Sequence, residues 1–100
     1  MGESKQVEWS KEKNEKLKSE RGISFEEIYL AIQNGKLLDI VPHPNPLYAH
    51  QKIYVLELNE YVVMVPFVEN AQHIFLKTAY PSRQAAKKYQ RQGEYHAPQK

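Results

Sequence analysis

The spacing of apolar positions changes character twice along the chain. From Ser10 to Glu20 the residues are mostly charged. Only Leu17, with Trp9 just ahead of the serine, offers apolar surface there. The segment predicts a short helix capped by Ser10 and stopped at Gly22, docked through those two side chains. Trp9 is read as that anchor, with a base-stacking surface as its functional alternative. Further on, Phe25, Ile28, Tyr29 and Ile32 fall at i, i+3, i+4 and i+7, the stripe of a second helix. Ser24-Phe25-Glu26-Glu27 supplies a capping box, Ile23 and Ile28 a hydrophobic staple, and Asn34-Gly35 the stop.

Beyond Gly35 the period falls towards two. Leu37 to Val41, Lys52 to Leu58, Tyr61 to Val68 and His73 to Ala79 predict four strands, the middle pair joined at Asn59-Glu60 as a tight hairpin. Pro42-His43-Pro44-Asn45-Pro46 stops the first strand, because prolines cannot donate to a ladder. A last helix is expected from Ser82 to about Gln92, with Ala85, Ala86 and Tyr89 inward, and residues 93–100 are expected to fray. The expected fold is α+β: two N-terminal helices, a small antiparallel sheet of three to four strands and a C-terminal helix, in one domain over residues 1–92.

One hundred residues leave no room for two independent cores. The absence of cysteine excludes disulfides and thiolate metal sites. No apolar run follows the first residues as in a signal peptide, and none approaches the roughly 18 residues of a membrane helix. A cytoplasmic protein without membrane attachment is expected. Charge is unevenly spread: residues 22–76 carry a net −4 and residues 77–100 a net +5. Such asymmetry suits a basic face for nucleic acid or an acidic protein, or a solvated helix whose cations complement its dipole.

Candidate chemistry concentrates where the fourth strand meets the last helix. Lys77, the Ser82 cap and Arg83 would bring an ammonium, a guanidinium and free helix N–H groups together, as an anion site requires. Alternation places Lys77 with Phe75, opposite Ile74, Leu76 and Thr78. Cleavage of RNA by its own 2′-hydroxyl needs a base, charge stabilisation at phosphorus and an acid for the leaving oxygen. Lys77 and Arg83 are the candidates for charge; His43, His50, Glu69, Tyr54 and Tyr80 are those for proton transfer. Lys13, Lys52, Lys87, Lys88 and Arg91 are candidate RNA-backbone contacts. Each also has an ordinary reading as surface charge or core rim. His43, His50, His73 and His96 show no HxxxH spacing, and no metal or cofactor is expected. Ser10, Ser24 and Ser82 are explained as caps, and no G-x-S-x-G elbow or phosphate-binding loop is present.

Two stretches resemble a known family. Val7-Glu8-Trp9-Ser10-Lys11-Glu12-Lys13-Asn14 and Arg21-Gly22-Ile23-Ser24-Phe25-Glu26-Glu27 are similar to the "F-x-W-D-x-x-K-x-x-x-N" and "H-G-V-S-F-E-E" patterns of BrnT-type toxins. Val7, Ser10 and Arg21 replace the usual phenylalanine, aspartate and histidine. Ala79-Tyr80-Pro81-Ser82-Arg83-Gln84-Ala85 is similar to the family's "I-S-A-R-x-A" ending. The resemblance covers roughly residues 7–90; of the polar candidates only Lys13 and Arg83 match position by position, and the Pro42-to-Gln51 loop has no counterpart. It implies a RelE-like ribonuclease toxin of a bacterial type II toxin–antitoxin system, cleaving mRNA, on or off the ribosome, without metal. It also implies a cognate antitoxin, a small DNA-binding protein, often ribbon–helix–helix. The alternatives are a non-enzymatic interaction module and an RNA- or DNA-binding regulator using the basic C-terminal helix.

Overall fold

The computed structural model describes residues 5–92, apart from the side chains of residues 90–92. The expected C-terminal tail, with His96, lies outside the described residues. The chain runs β1 (Gln6–Trp9), α1 (Lys11–Arg21), α2 (Phe25–Gln33), β2 (Leu37–Pro42), β3 (Lys52–Leu58), β4 (Tyr61–Glu69), β5 (His73–Leu76), β6 (Tyr80–Pro81) and α3 (Arg83–Gln92). This is an α+β fold with three helices, but the sheet is larger than expected and mixed. Its order is β1-β5-β4-β3-β2, with β6 pairing β4 further along.

Two helix starts follow the sequence closely. Ser10 Oγ accepts the Lys13 N–H at 3.1 Å, and Gly22 closes α1 at φ 68°, where the absence of a Cβ makes the left-handed turn inexpensive. Ser24 and Glu27 form the reciprocal capping box of α2. A further contact joins the helices. Asn14, 3% exposed, accepts the Phe25 N–H at 2.8 Å and donates to Glu26 Oε1 at 2.9 Å. It thereby satisfies a helix-start donor that the serine cap does not reach.

The first strand is the main correction. Gln6 to Trp9 pairs in parallel with His73 to Leu76, so Trp9 belongs to the sheet and not merely to a helix anchor. Its ring packs on Phe25 with centroids 5.7 Å apart. Four residues are too few for alternation to announce a strand, and the partner lies far away in sequence.

Register assigns the faces. One face of the sheet carries Leu56, Leu58, Val63, Val65, Phe67 and Leu76 against Leu17, Phe25, Ile28 and Ala31 of α1 and α2. The other carries Val55 and Val62, with Val41 and Met64, against Ala85, Ala86 and Tyr89 of α3. Helices thus cover both faces of one sheet. α3 is further tied to β2, where the Tyr89 hydroxyl donates to Asp39 Oδ2 at 2.7 Å. That bond holds the Asp39 carboxyl below its ordinary range, while burial and the facing carboxylate push the Tyr89 phenol up to about 12. A bulge between Leu37 and Asp39 places Asp39 in register with Val55, on the α3 face.

Candidate active site

The α3 face is covered over only part of its area. Beyond the helix, the sheet and the Pro42-to-Gln51 loop enclose an open cleft of about 490 Å³. Pro66 and Phe75 line it from the sheet, and Lys77, Thr78 and Tyr80 from the segment after β5. His43, Tyr48 and Gln51 contribute from the loop, Ser10 and Lys13 from the start of α1.

An irregularity in the sheet brings the key side chains together. The Lys77 N–H donates to the Pro66 carbonyl at 2.8 Å, while Tyr80 stands opposite Met64. Three steps along this segment therefore face two steps on β4, a β-bulge at Thr78 and Ala79. In a regular strand Lys77 and Tyr80 would point to opposite faces. The extra residue brings both to the cleft, puts Thr78 beside them, and leaves Ala79 buried in the core on the other side. The expectation that Thr78 opposes Lys77 is corrected by this bulge. Pro66 suits the position. A residue at this place in an antiparallel ladder would return an N–H to Lys77, and proline has none. The ladder therefore weakens where the chain must deviate, which accounts for a proline inside a central strand.

The loop wall is pinned from within. Asn45 Oδ1 accepts the Leu47 N–H at 2.9 Å, opening a short 3₁₀ turn at Pro46–Tyr48. The Gln51 N–H donates to the Tyr48 carbonyl at 2.8 Å, and the His43 N–H to the Gln51 carbonyl at 3.3 Å. His43 and Tyr48 pack with ring centroids 5.0 Å apart. The Asn45 N–H donates to His43 Nδ1 at 3.1 Å. A nitrogen accepting that bond carries no proton, so the neutral imidazole bears its hydrogen on Nε2.

Three predicted residues, Lys13, His43 and Lys77, meet in the cleft, as does Tyr80 from the proton-transfer set. Lys77 Nζ also lies 5.4 Å from the Phe75 ring centroid, a cation–π distance. Arg83 is not brought to them. The Ser82 N–H bonds the Val62 carbonyl, four residues along β4 from the carbonyl that holds Lys77, about 13 Å of strand. The expected joining of Lys77 with Arg83 and the α3 start is therefore absent. His50 is exposed and does not line the cleft. Lys52 and Lys5 both pair with Glu69, at 3.9 and 2.5 Å, which places Glu69 in an ion network at the end of β4 instead of the cleft. Tyr54 stacks on Phe67 with centroids 3.9 Å apart, its phenol pushed up by burial and then by Glu69, as suits a core-rim residue. Lys87 and Lys88 are exposed on α3, and the Arg91 side chain lies outside the described residues.

Tyr48, Gln51 and Thr78 are cleft residues that the sequence pattern did not single out. The signal available for Gln51 was the closing of a proline-rich loop immediately before a strand. No group of three or more His, Asp or Glu able to hold a metal exists among the described residues. No helix among them is long and apolar enough to cross a membrane. A second hollow of about 340 Å³, near the β3–β4 hairpin, has Arg21 as its one charged lining residue. Comparison with protein-family models, with curated proteins and with solved structures finds no match.

Proposed function

We propose that this chain is an RNA-cleaving toxin of a bacterial type II toxin–antitoxin pair, acting without metal and held inactive by a small DNA-binding partner. The observation that carries the reading is the cleft itself, which two lysines, a histidine and two tyrosines line together with Phe75. The toxin and antitoxin parts of the reading draw on the resemblance of residues 7–27 and 79–85 to BrnT-type proteins.

In this reading the scissile phosphate lies between Lys13 and Lys77. Their charges stabilise the phosphorane formed as O2′ attacks phosphorus. His43 Nε2–H donates to a non-bridging oxygen. The P–O5′ bond breaks, Tyr80 gives its proton to O5′, and the proton released from O2′ replaces it through solvent. The products are a 2′,3′-cyclic phosphate and a 5′-hydroxyl.

The test is cleavage of RNA by purified protein in EDTA, alone and with translating ribosomes, with product ends mapped. Lys77→Ala is expected to lower the rate about 10²–10³-fold, and Tyr80→Phe about 10²–10⁴-fold, in protein that remains folded by circular dichroism. If both variants cleave like the parent, or RNA stays intact under both conditions, the reading is wrong.

A further inference from the structure

The cleft holds one polar side chain that the cleavage chemistry above leaves without a task. Gln51 is 8% exposed and lies at the foot of β3, where register continues its side-chain face into Ile53 and Val55. Along β3 the next residues on that face are apolar, and His43 stands opposite Gln51 across the loop closure. Its backbone is fixed at both ends, N–H to Tyr48 and carbonyl to His43. The side chain therefore springs from a position held by the same bonds that close the loop.

Among the described residues the Gln51 carboxamide has no hydrogen-bond partner. Yet no side-chain nitrogen or oxygen among them is both sealed from solvent and unpaired. The amide therefore keeps access to solvent, and the hollow that Gln51 lines is the cleft. A carboxamide presents one donor and one acceptor side by side. Held at the base of an aromatic-walled cleft beside two lysines, that pair is placed to meet the edge of a flat heterocycle. Tyr48, Phe75 and Tyr80 supply ring surface on which such a heterocycle stacks.

We propose that Gln51 is a specificity-determining residue that reads the base of the nucleotide next to the scissile phosphate, with adenine preferred. On its Hoogsteen edge adenine places N6 and N7 at the spacing a carboxamide matches with two hydrogen bonds, whereas guanine shows two acceptors there and cytosine and uracil one polar group each. The inference rests on the proposed RNA cleavage and adds to it the identity of one subsite. The phosphate is held by charge, which is indifferent to sequence, whereas the base is selected by Gln51.

The experiment measures binding of short single-stranded RNAs, each with one 2′-deoxy nucleotide at the scissile position, the adjacent base being A, C, G or U. The parent protein is expected to bind the adenine oligonucleotide most tightly. Gln51→Leu, similar in size, is expected to erase that preference, weakening adenine binding about 5–150-fold while sparing the other three. Gln51→Glu sets a second acceptor against adenine N7 and is expected to move the preference to cytosine, whose N4 amino group donates with no ring acceptor beside it on that edge. A mere packing role for Gln51 would weaken all four oligonucleotides alike. A preference unchanged in both variants, or absent from the parent while RNA is still cleaved, overturns the role of Gln51 alone. No binding of any oligonucleotide together with no cleavage removes the ribonuclease reading on which it depends.

Discussion

Asn14→Ala isolates the joint between the first two helices. The parent side chain accepts the buried Phe25 N–H at 2.8 Å, and alanine leaves that donor facing the apolar packing around Phe25. A buried N–H without a partner costs about 1–3 kcal/mol, so a loss of about 2 kcal/mol is expected. For a domain of this size, that lowers Tm by about 8–16 °C. The assay is urea unfolding followed by circular dichroism, with the m-value as a check that the unfolded state has not changed. pH gives an independent handle. Asn14 donates to Glu26 and, as the leading cause, holds its carboxyl below the ordinary 4.5. A lowered folded pKa contributes stability above the unfolded value, lost as pH falls through the folded one. The gap between parent and variant should therefore hold steady above pH 4.5 and narrow in stronger acid. A loss smaller than about 0.5 kcal/mol would mean water replaces the Asn14 acceptor, and the account of the joint would be refuted.

The Tyr89–Asp39 bond should act at the opposite end of the pH scale. Because the phenol is raised from 10 to about 12, its contribution is complete below pH 10 and disappears as pH rises through about 12. Tyrosine-ionisation spectra of the parent against Tyr89→Phe should show one late-titrating phenol missing from the variant; a full set of ordinary titrations in the parent would count against the bond. At the β3–β4 hairpin, Asn59 and Glu60 have φ 54° and 72°, the pair of positive values that a two-residue turn of this hand requires. Glu60→Gly should relieve the Cβ penalty and stabilise the fold by about 1 kcal/mol in urea unfolding. An unchanged or lower midpoint would show that the turn carries no such strain.

Local signals in the sequence were read well where the chemistry is itself local. The Ser24–Glu27 box, the Gly22 stop and the hairpin strands depend on neighbours within a few positions, and they appear as expected. β1 was missed because its partner is remote. The cleft was half legible. Alternation placed Lys77 beside Phe75, but it also set Thr78 opposite, since a bulge has no signature in a period of two. Arg83 was expected beside Lys77 on closeness in sequence, and the intervening strand segment, paired along β4, carries it away. Gln51 and Tyr48 reach the site through loop closure, which hydrophobic patterning does not record. Asn14 looked like one more polar residue on a solvated helix. Its burial goes with its two bonds to the start of α2, to the Phe25 N–H and Glu26 Oε1.

The parallel pairing of β1 with β5 also bears on how the chain comes to be folded. Each residue of β1 sits beside one 67 positions later, so this contact closes most of the described chain into a loop. The hairpin of β3 and β4 and the turn between α1 and α2 close far shorter loops at lower entropic cost. The first strand is therefore expected to arrive last, onto a sheet already assembled. It carries Trp9, the one tryptophan in the protein. Tryptophan fluorescence should thus time that final docking, lagging the far-ultraviolet dichroism that follows the helices and the central hairpin.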